Sequence, residues 1–95
     1  MVLHTVNQNS NLLDDCLTVA APGDSLLLLQ NGVYALQTRQ DELQTASTSG
    51  IALYVLSDDL KARGLSSAGD DTIQSADYED FVDLVVAADR VIAWH

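Results

Sequence analysis

Short apolar segments alternate along the chain with stretches in which apolar residues recur every three to four positions, and turn residues separate the two kinds. Such alternation is the βαβα pattern of a parallel sheet covered by helices. Met1 to Val6 reads as a first strand with Val2, Leu3 and Val6 available to a core, and Asn7 to Ser10 then supplies turn and capping residues. A helix is predicted from about Ser10. Its Leu13, Cys16, Leu17 and Ala20 fall at i, i+3, i+4 and i+7, on one face, and Pro22-Gly23 ends it. Ser25 to Gln30 is an apolar run between Gly23-Asp24 and Asn31-Gly32, as expected of a strand buried on both faces.

Further on, Val33 to Gln40 reads as a short helix and Gln44 to Gly50, rich in Ser and Thr, as a polar loop. Ile51 to Leu56 is a third strand. Ser57 is placed to cap a brief helix through Ala62, with Asp58 and Asp59 in its first turn and Gly64 free to take a left-handed conformation just beyond it. A loop from Ser66 to Asp71 leads to a fourth strand over Thr72 to Ser75. In the last helix Asp77 is the cap, Glu79 and Asp80 favour the positive end, and Tyr78, Phe81, Val82 and Val85 make the predicted inward face. Val91 to Trp94 closes the set. The expectation is one domain over residues 1–95: a small three-layer α/β/α sandwich on a parallel sheet of about five strands. Helices this short leave apolar surface for another subunit to bury.

Composition narrows the function classes. The chain has 95 residues, 47% of them apolar, which suffices for a core. No apolar run approaches the roughly 20 residues needed to span a bilayer, and the start lacks the basic segment of a signal peptide, so a cytoplasmic location without membrane contact is expected. Fourteen acidic against four basic side chains give a formal charge of −10. That charge repels phosphate backbones, and Arg39, Lys61, Arg63 and Arg90 are too scattered for a basic stripe, so direct nucleic-acid binding is not expected. Solubility or a basic protein partner suits it better.

Catalytic signatures are sparse. Cys16 is the single cysteine, so no internal disulfide forms, and no zinc-type spacing exists. His95 lacks sequence partners for a metal. Gln30-Asn31-Gly32 lies where open α/β sheets bind ligands, but without G-x-G-x-x-G or a P-loop it reads as a turn with positive φ at Gly32. Asp58-Asp59 lacks the companion acids and lysine of a magnesium or phosphoacceptor site and reads as helix capping. His4 reads as a hydrogen-bonded structural residue. No serine has a hydrolase context. No cofactor is expected.

Several separated segments resemble one family: Leu3-His4-Thr5-Val6, Leu26 to Tyr34 (LLLLQNGVY), Leu53-Tyr54-Val55-Leu56, Asp59-Leu60-Lys61-Ala62-Arg63-Gly64, and Asp77-Tyr78-x-x-Phe81-Val82-Asp83-Leu84 with Ala93-Trp94. They are similar, in order and over nearly the whole chain, to the TusB/DsrH family of sulfur-relay proteins. The resemblance implies a DsrE-like α/β fold and a cytoplasmic heterohexamer with TusC/DsrF-like and TusD/DsrE-like subunits. That assembly passes persulfide sulfur to a downstream acceptor protein, towards tRNA wobble-uridine 2-thiolation or in dissimilatory sulfur oxidation. It also implies that the main sulfur-accepting cysteine lies on the TusD/DsrE-type partner, which makes this chain an accessory subunit.

Cys16, in a Leu-x-x-Cys-Leu context, resembles a cysteine carried by DsrH-type members and leans towards that branch. It is the one candidate persulfide site, and with it this chain is alternatively a sulfurtransferase or sulfur carrier. A relay thiol needs access and a lowered pKa. Asp14 and Asp15 act against the second, and the competing reading is a small core residue on the Leu13/Leu17 face.

Overall fold

The computed structural model describes residues 1–67 and 71–95. Five strands, β1 (Val2–Val6), β2 (Ser25–Leu28), β3 (Ala52–Leu56), β4 (Ile73–Ala76) and β5 (Arg90–Trp94), form one sheet in the order β4-β3-β2-β1-β5, and every pairing is parallel. Leu3 lies beside Ser25 and Val91, Leu27 beside Tyr54, and Leu56 beside Ala76. The helices are α1 (Asn11–Val19), α2 (Ala35–Thr38), α3 (Gln40–Thr48), α4 (Ser57–Ala62) and α5 (Tyr78–Ala87), with a 3-10 turn over Gln30–Tyr34 before α2.

Strand order dictates how the helices are shared between the two faces. The connections β1 to β2, β2 to β3 and β3 to β4 all step in one direction, whereas β4 to β5 crosses back over the whole sheet. Right-handed crossovers therefore put α1 through α4 on one face and, among the described residues, α5 alone on the other. The larger core lies under the first group and includes Val6, Leu13, Cys16, Leu26, Leu28, Leu43, Leu53, Val55, Leu60 and Ile73. The smaller one, beneath α5, holds Leu3, Leu27, Leu56 and Ala76, with Phe81, Leu84 and Ala88 packed against them. Since successive strand residues point to opposite faces, β2 is buried on both, and all four of its residues are inaccessible. The expected three layers are present, one of them a single helix thick.

Several local expectations need correction. Residues 44–48, read as a polar loop, belong to α3. Leu43 and Ala46 are its buried pair, Asp41 and Glu42 suit its first turn, and the Thr48 and Ser49 hydroxyls donate to the Gln44 and Thr45 carbonyls at 3.0 and 2.9 Å. Bonded in this way, they extend the turn of helix rather than competing with it. Ser57 is the first residue of α4 and makes no capping bond. The end of α4 follows expectation: Gly64 has φ +67°, its N–H donates to Lys61 O, and the Leu65 N–H donates to Leu60 O. The fourth strand begins one residue later than predicted. Of the loop expected over Ser66 to Asp71, residues 68–70 lie outside the described residues.

Helix α5 departs most informatively. Asp77 caps it in a reciprocal box with Asp80, as its acidic first turn suggested. Its inward face, however, is Phe81, Leu84 and Ala88, while Tyr78, Val82 and Val85 of the predicted face are exposed. Seven of the ten residues are apolar, so spacing alone left two faces competing. The sheet took the one that includes Leu84.

Candidate functional site

The sequence places its one candidate sulfur site, Cys16, in the second turn of α1. Ser10 starts that helix by accepting the Leu12 N–H at 3.3 Å. Leu13 and Cys16 then point at the sheet with no accessible surface, and Leu17 and Ala20 border the same cluster. Burial pushes the thiol up to about 12, and the negative charge of Asp24 adds to the shift. The carboxylate responsible is thus not on α1, where Asp14 and Asp15 were expected to act. In this position Cys16 is a neutral, apolar packing group, the opposite of the electropositive, accessible setting that activates a thiol.

Asp24 belongs to a partly buried polar chain that the sequence did not reveal. It ends the turn after Pro22-Gly23, and its carboxylate accepts the Ala21 N–H at 3.0 Å, the Val2 N–H at 3.1 Å and the His4 imidazole at 3.1 Å. The Ala21 bond leads in holding its pKa below the usual carboxylate range, helped by His4 and Val2 against partial desolvation. His4, almost wholly buried in β1, receives on Nδ1 the indole N–H of Trp94 at 3.2 Å. Because an indole only donates, Nδ1 carries no proton, and the Nε2–H is the one given to Asp24. The expected hydrogen-bonded histidine is therefore the middle of a Trp94–His4–Asp24 chain joining β5, β1 and the entrance to β2.

At the carboxyl ends of the strands, Gln30, Asn31 and Gly32 form the turn after β2. Here φ is +50° at Gln30, and Gly32 is not left-handed, contrary to expectation. Glycine is needed at 32 because a Cβ would overlap the Val6 carbonyl oxygen. Asp59, expected to serve its own helix, accepts the Gln30 N–H at 2.6 Å instead, and Arg63 donates from Nε to Asn31 Oδ1 at 3.0 Å and from Nη1 to Asp59 O at 3.2 Å. The bonds to Gln30 and Asn31 fasten α4 to the turn, and the Nη1 bond holds the Arg63 side chain along its own helix. Beside them Gln8, Asn9, Ser10, Asn31 and Tyr34 line an open concavity of about 660 Å³ with no ionisable carboxylate or amine. The nearby Asn7 Oδ1 is buried without a hydrogen-bond partner among the described residues. His95 ends β5's strand exit, and among the described residues no group of three His, Cys, Asp or Glu is placed to hold a metal.

Residues 7–91 match the family model described as DsrH like protein. The chain is 39% identical to protein TusB of Escherichia coli O81 (strain ED1a) over 95 residues, covering 98% of this chain and all of that one. To protein TusB of Shigella boydii serotype 18 it is 38% identical over the same span. The chain belongs to the TusB/DsrH family. Among solved structures, the fold is similar to the ychN protein of Escherichia coli, with a TM-score of 0.73, 16% identity and coverage of 97% and 96% of the two chains. Protein Tm0979 of Thermotoga maritima is similar with a TM-score of 0.64 at 27% identity, covering 90% and 92%. TusB/DsrH membership supports a role as a sulfur-relay subunit. No helix among the described residues is long and apolar enough to cross a membrane.

Proposed function

We propose that this chain, one TusB/DsrH-like domain over residues 1–95, is an accessory subunit of a cytoplasmic sulfur-relay complex of the TusBCD/DsrEFH type. In such a relay an acceptor thiolate attacks the outer sulfur of a donor persulfide. A new S–S bond forms on the acceptor, and the donor leaves as its thiolate. The observation that carries the accessory reading is the burial of Cys16 together with a thiol pKa of about 12, which leaves hardly any thiolate at neutral pH. Sulfur acceptance then falls to a TusD/DsrE-like partner, with a TusC/DsrF-like subunit completing a heterohexamer. The chain contributes a rigid layer and an interface. The sulfur passes on either towards tRNA wobble-uridine 2-thiolation or into dissimilatory sulfur oxidation, and the partners present decide which.

The test is co-expression with TusC/DsrF-like and TusD/DsrE-like subunits, native mass measurement, and persulfide labelling of wild type beside Cys16→Ala. The expected result is one assembly containing all three chains, with label on the partner and transfer to a downstream acceptor protein unchanged by the substitution. A chain that stays monomeric beside both partners would refute membership of the complex. Label recovered on Cys16, with transfer lost in Cys16→Ala, would make this chain a sulfur carrier instead.

A further inference from the structure

Among the described residues α5 is the only helix on its face of the sheet, and none of them covers its outer side. Tyr78, Val82, Val85 and Val86 stand there at i, i+4, i+7 and i+8, with Tyr78 55%, Val82 58% and Val86 80% exposed. Val91 of β5, on the same face of the sheet as Leu3, is exposed as well. Scattered single valines need no explanation, but a stripe along one helix does. Its setting is charged with one sign. By helical spacing Glu79, Asp80 and Asp83 follow one flank, and α5 contains no Lys or Arg. Asp80 is held in the capping box, whereas Glu79 and Asp83 share a shallow depression with Tyr78 and Val82.

These charges decide between occupants. Antiparallel pairing of α5 with a second copy of itself would set the Glu79 and Asp83 flank against its equivalent, and any such pairing would join two chains of −10 each. Like charges at a contact oppose association and disfavour that partner. We propose that the outer face of α5 docks a different protein, apolar at the centre of its contact face and bearing Lys or Arg opposite Glu79 and Asp83. Val82 and Val86 supply the desolvated centre, and the two carboxylates supply orientation and encounter rate. The inference rests on the relay reading only in taking the first test partners from that complex.

Two arms test it. In the first, wild type, Val82→Asp/Val86→Asp and Glu79→Gln/Asp83→Gln are titrated against the purified TusC/DsrF-like and TusD/DsrE-like subunits at low and high salt, with circular dichroism confirming the fold of each variant. The valine pair should lose at least about tenfold in affinity. The wild-type association rate should fall with salt, and the Gln pair should associate more slowly and respond less to salt. Wild-type affinity in the valine variant would overturn the proposal while leaving the relay reading intact.

In the second arm the probe is a designed helical peptide with a leucine stripe rimmed by lysines, compared with the same stripe rimmed by glutamates. Only the lysine form should shift the amide resonances of α5, saturably, and the valine variant should abolish the shift. Equal binding of both peptides, or of neither, would overturn the proposal. So would a homodimer of the isolated chain that Val86→Asp dissolves. Failure of the wild type to bind either relay subunit would count against the relay reading, and the peptide arm would still decide the docking face.

Discussion

Trp94 donates its indole N–H to His4 Nδ1 across 3.2 Å, joining residues ninety positions apart in sequence. The bond runs between β5 and β1, adjacent parallel strands in which His4 lies beside Ile92. It assigns the imidazole its tautomer, with the proton on Nε2 facing Asp24. Long-range proton–nitrogen correlation should show His4 as the Nε2–H form in the folded protein. Trp94→Phe preserves most of the apolar volume but leaves a buried acceptor unpaired, and should lower unfolding free energy by about 1–3 kcal/mol in urea titration. An Nδ1–H spectrum, or an unchanged midpoint, would show that the two rings merely adjoin.

Asp24 gives the fold a pH dependence of definite sign. Its folded pKa is depressed, chiefly by the Ala21 N–H and then by His4 and Val2, so its contribution is complete above the unfolded value near 3.9. That contribution disappears as pH falls through the lower, folded value. Asp24→Asn loses it at every pH, and should be about 1–3 kcal/mol less stable than wild type at pH 7. The two stability curves should converge below pH ~4. Asp89, depressed by its bond to the Met1 amine, titrates alike in both proteins and cancels in the difference. A gap of constant size down to pH ~3 would contradict the assignment.

Elements whose local chemistry agreed with their burial were legible in the sequence: α1 with its Ser10 cap and Leu13/Cys16 face, the doubly buried β2, the Gly64 terminus, and the Asp77 cap of α5. The sequence misled where tertiary context chose between local options. The hydroxyls of α3 bond back into their own helix, Asp59 serves a neighbouring turn, and the sheet selected one of two apolar faces on α5. The site was less legible than the fold. Asp24, His4 and Trp94 belong to three segments that only the sheet order brings together, and no spacing rule links them. Gly23-Asp24 carried a turn signal, which concealed the second task of the carboxylate.

Cys16 offers a kinetic test of its burial. With the thiol raised from an ordinary 9.0 to about 12, its thiolate population at pH 8 is about a thousandfold below that of an exposed cysteine. Alkylation at pH 8 should therefore be slow in the native protein and rapid in denaturant. The raised value also means that stability is complete below the unfolded thiol pKa and falls as pH climbs from about 9 towards 12. Cys16→Ala should cost about 1–2 kcal/mol for a small cavity, and Cys16→Ser more, because it brings a hydroxyl into the apolar cluster. Rapid native alkylation, or Ser tolerated better than Ala, would mean that the thiol reaches solvent.

Gly32 and Gly64 separate two reasons for requiring glycine. At Gly64 the backbone is left-handed, φ +67°, with open space where a Cβ would stand, so Gly64→Ala should lose about 1 kcal/mol through conformation alone. At Gly32 the dihedral is ordinary for any residue, but an added methyl would overlap the Val6 carbonyl oxygen and lie 3.0 Å from its carbon. That carbonyl already accepts the Leu29 N–H at 3.1 Å, so the ends of β1 and β2 are joined at this point and neither strand can yield cheaply. Gly32→Ala should thus be the more damaging, by about 1–3 kcal/mol or more, and should increase hydrogen exchange at the Leu29 amide. Asp59, through the Gln30 N–H, holds the same turn from its other side, so the disturbance should extend to the α4 contacts of Arg63. Equal losses at the two glycines, with the Leu29 amide still protected, would show that the turn has room that the backbone positions deny.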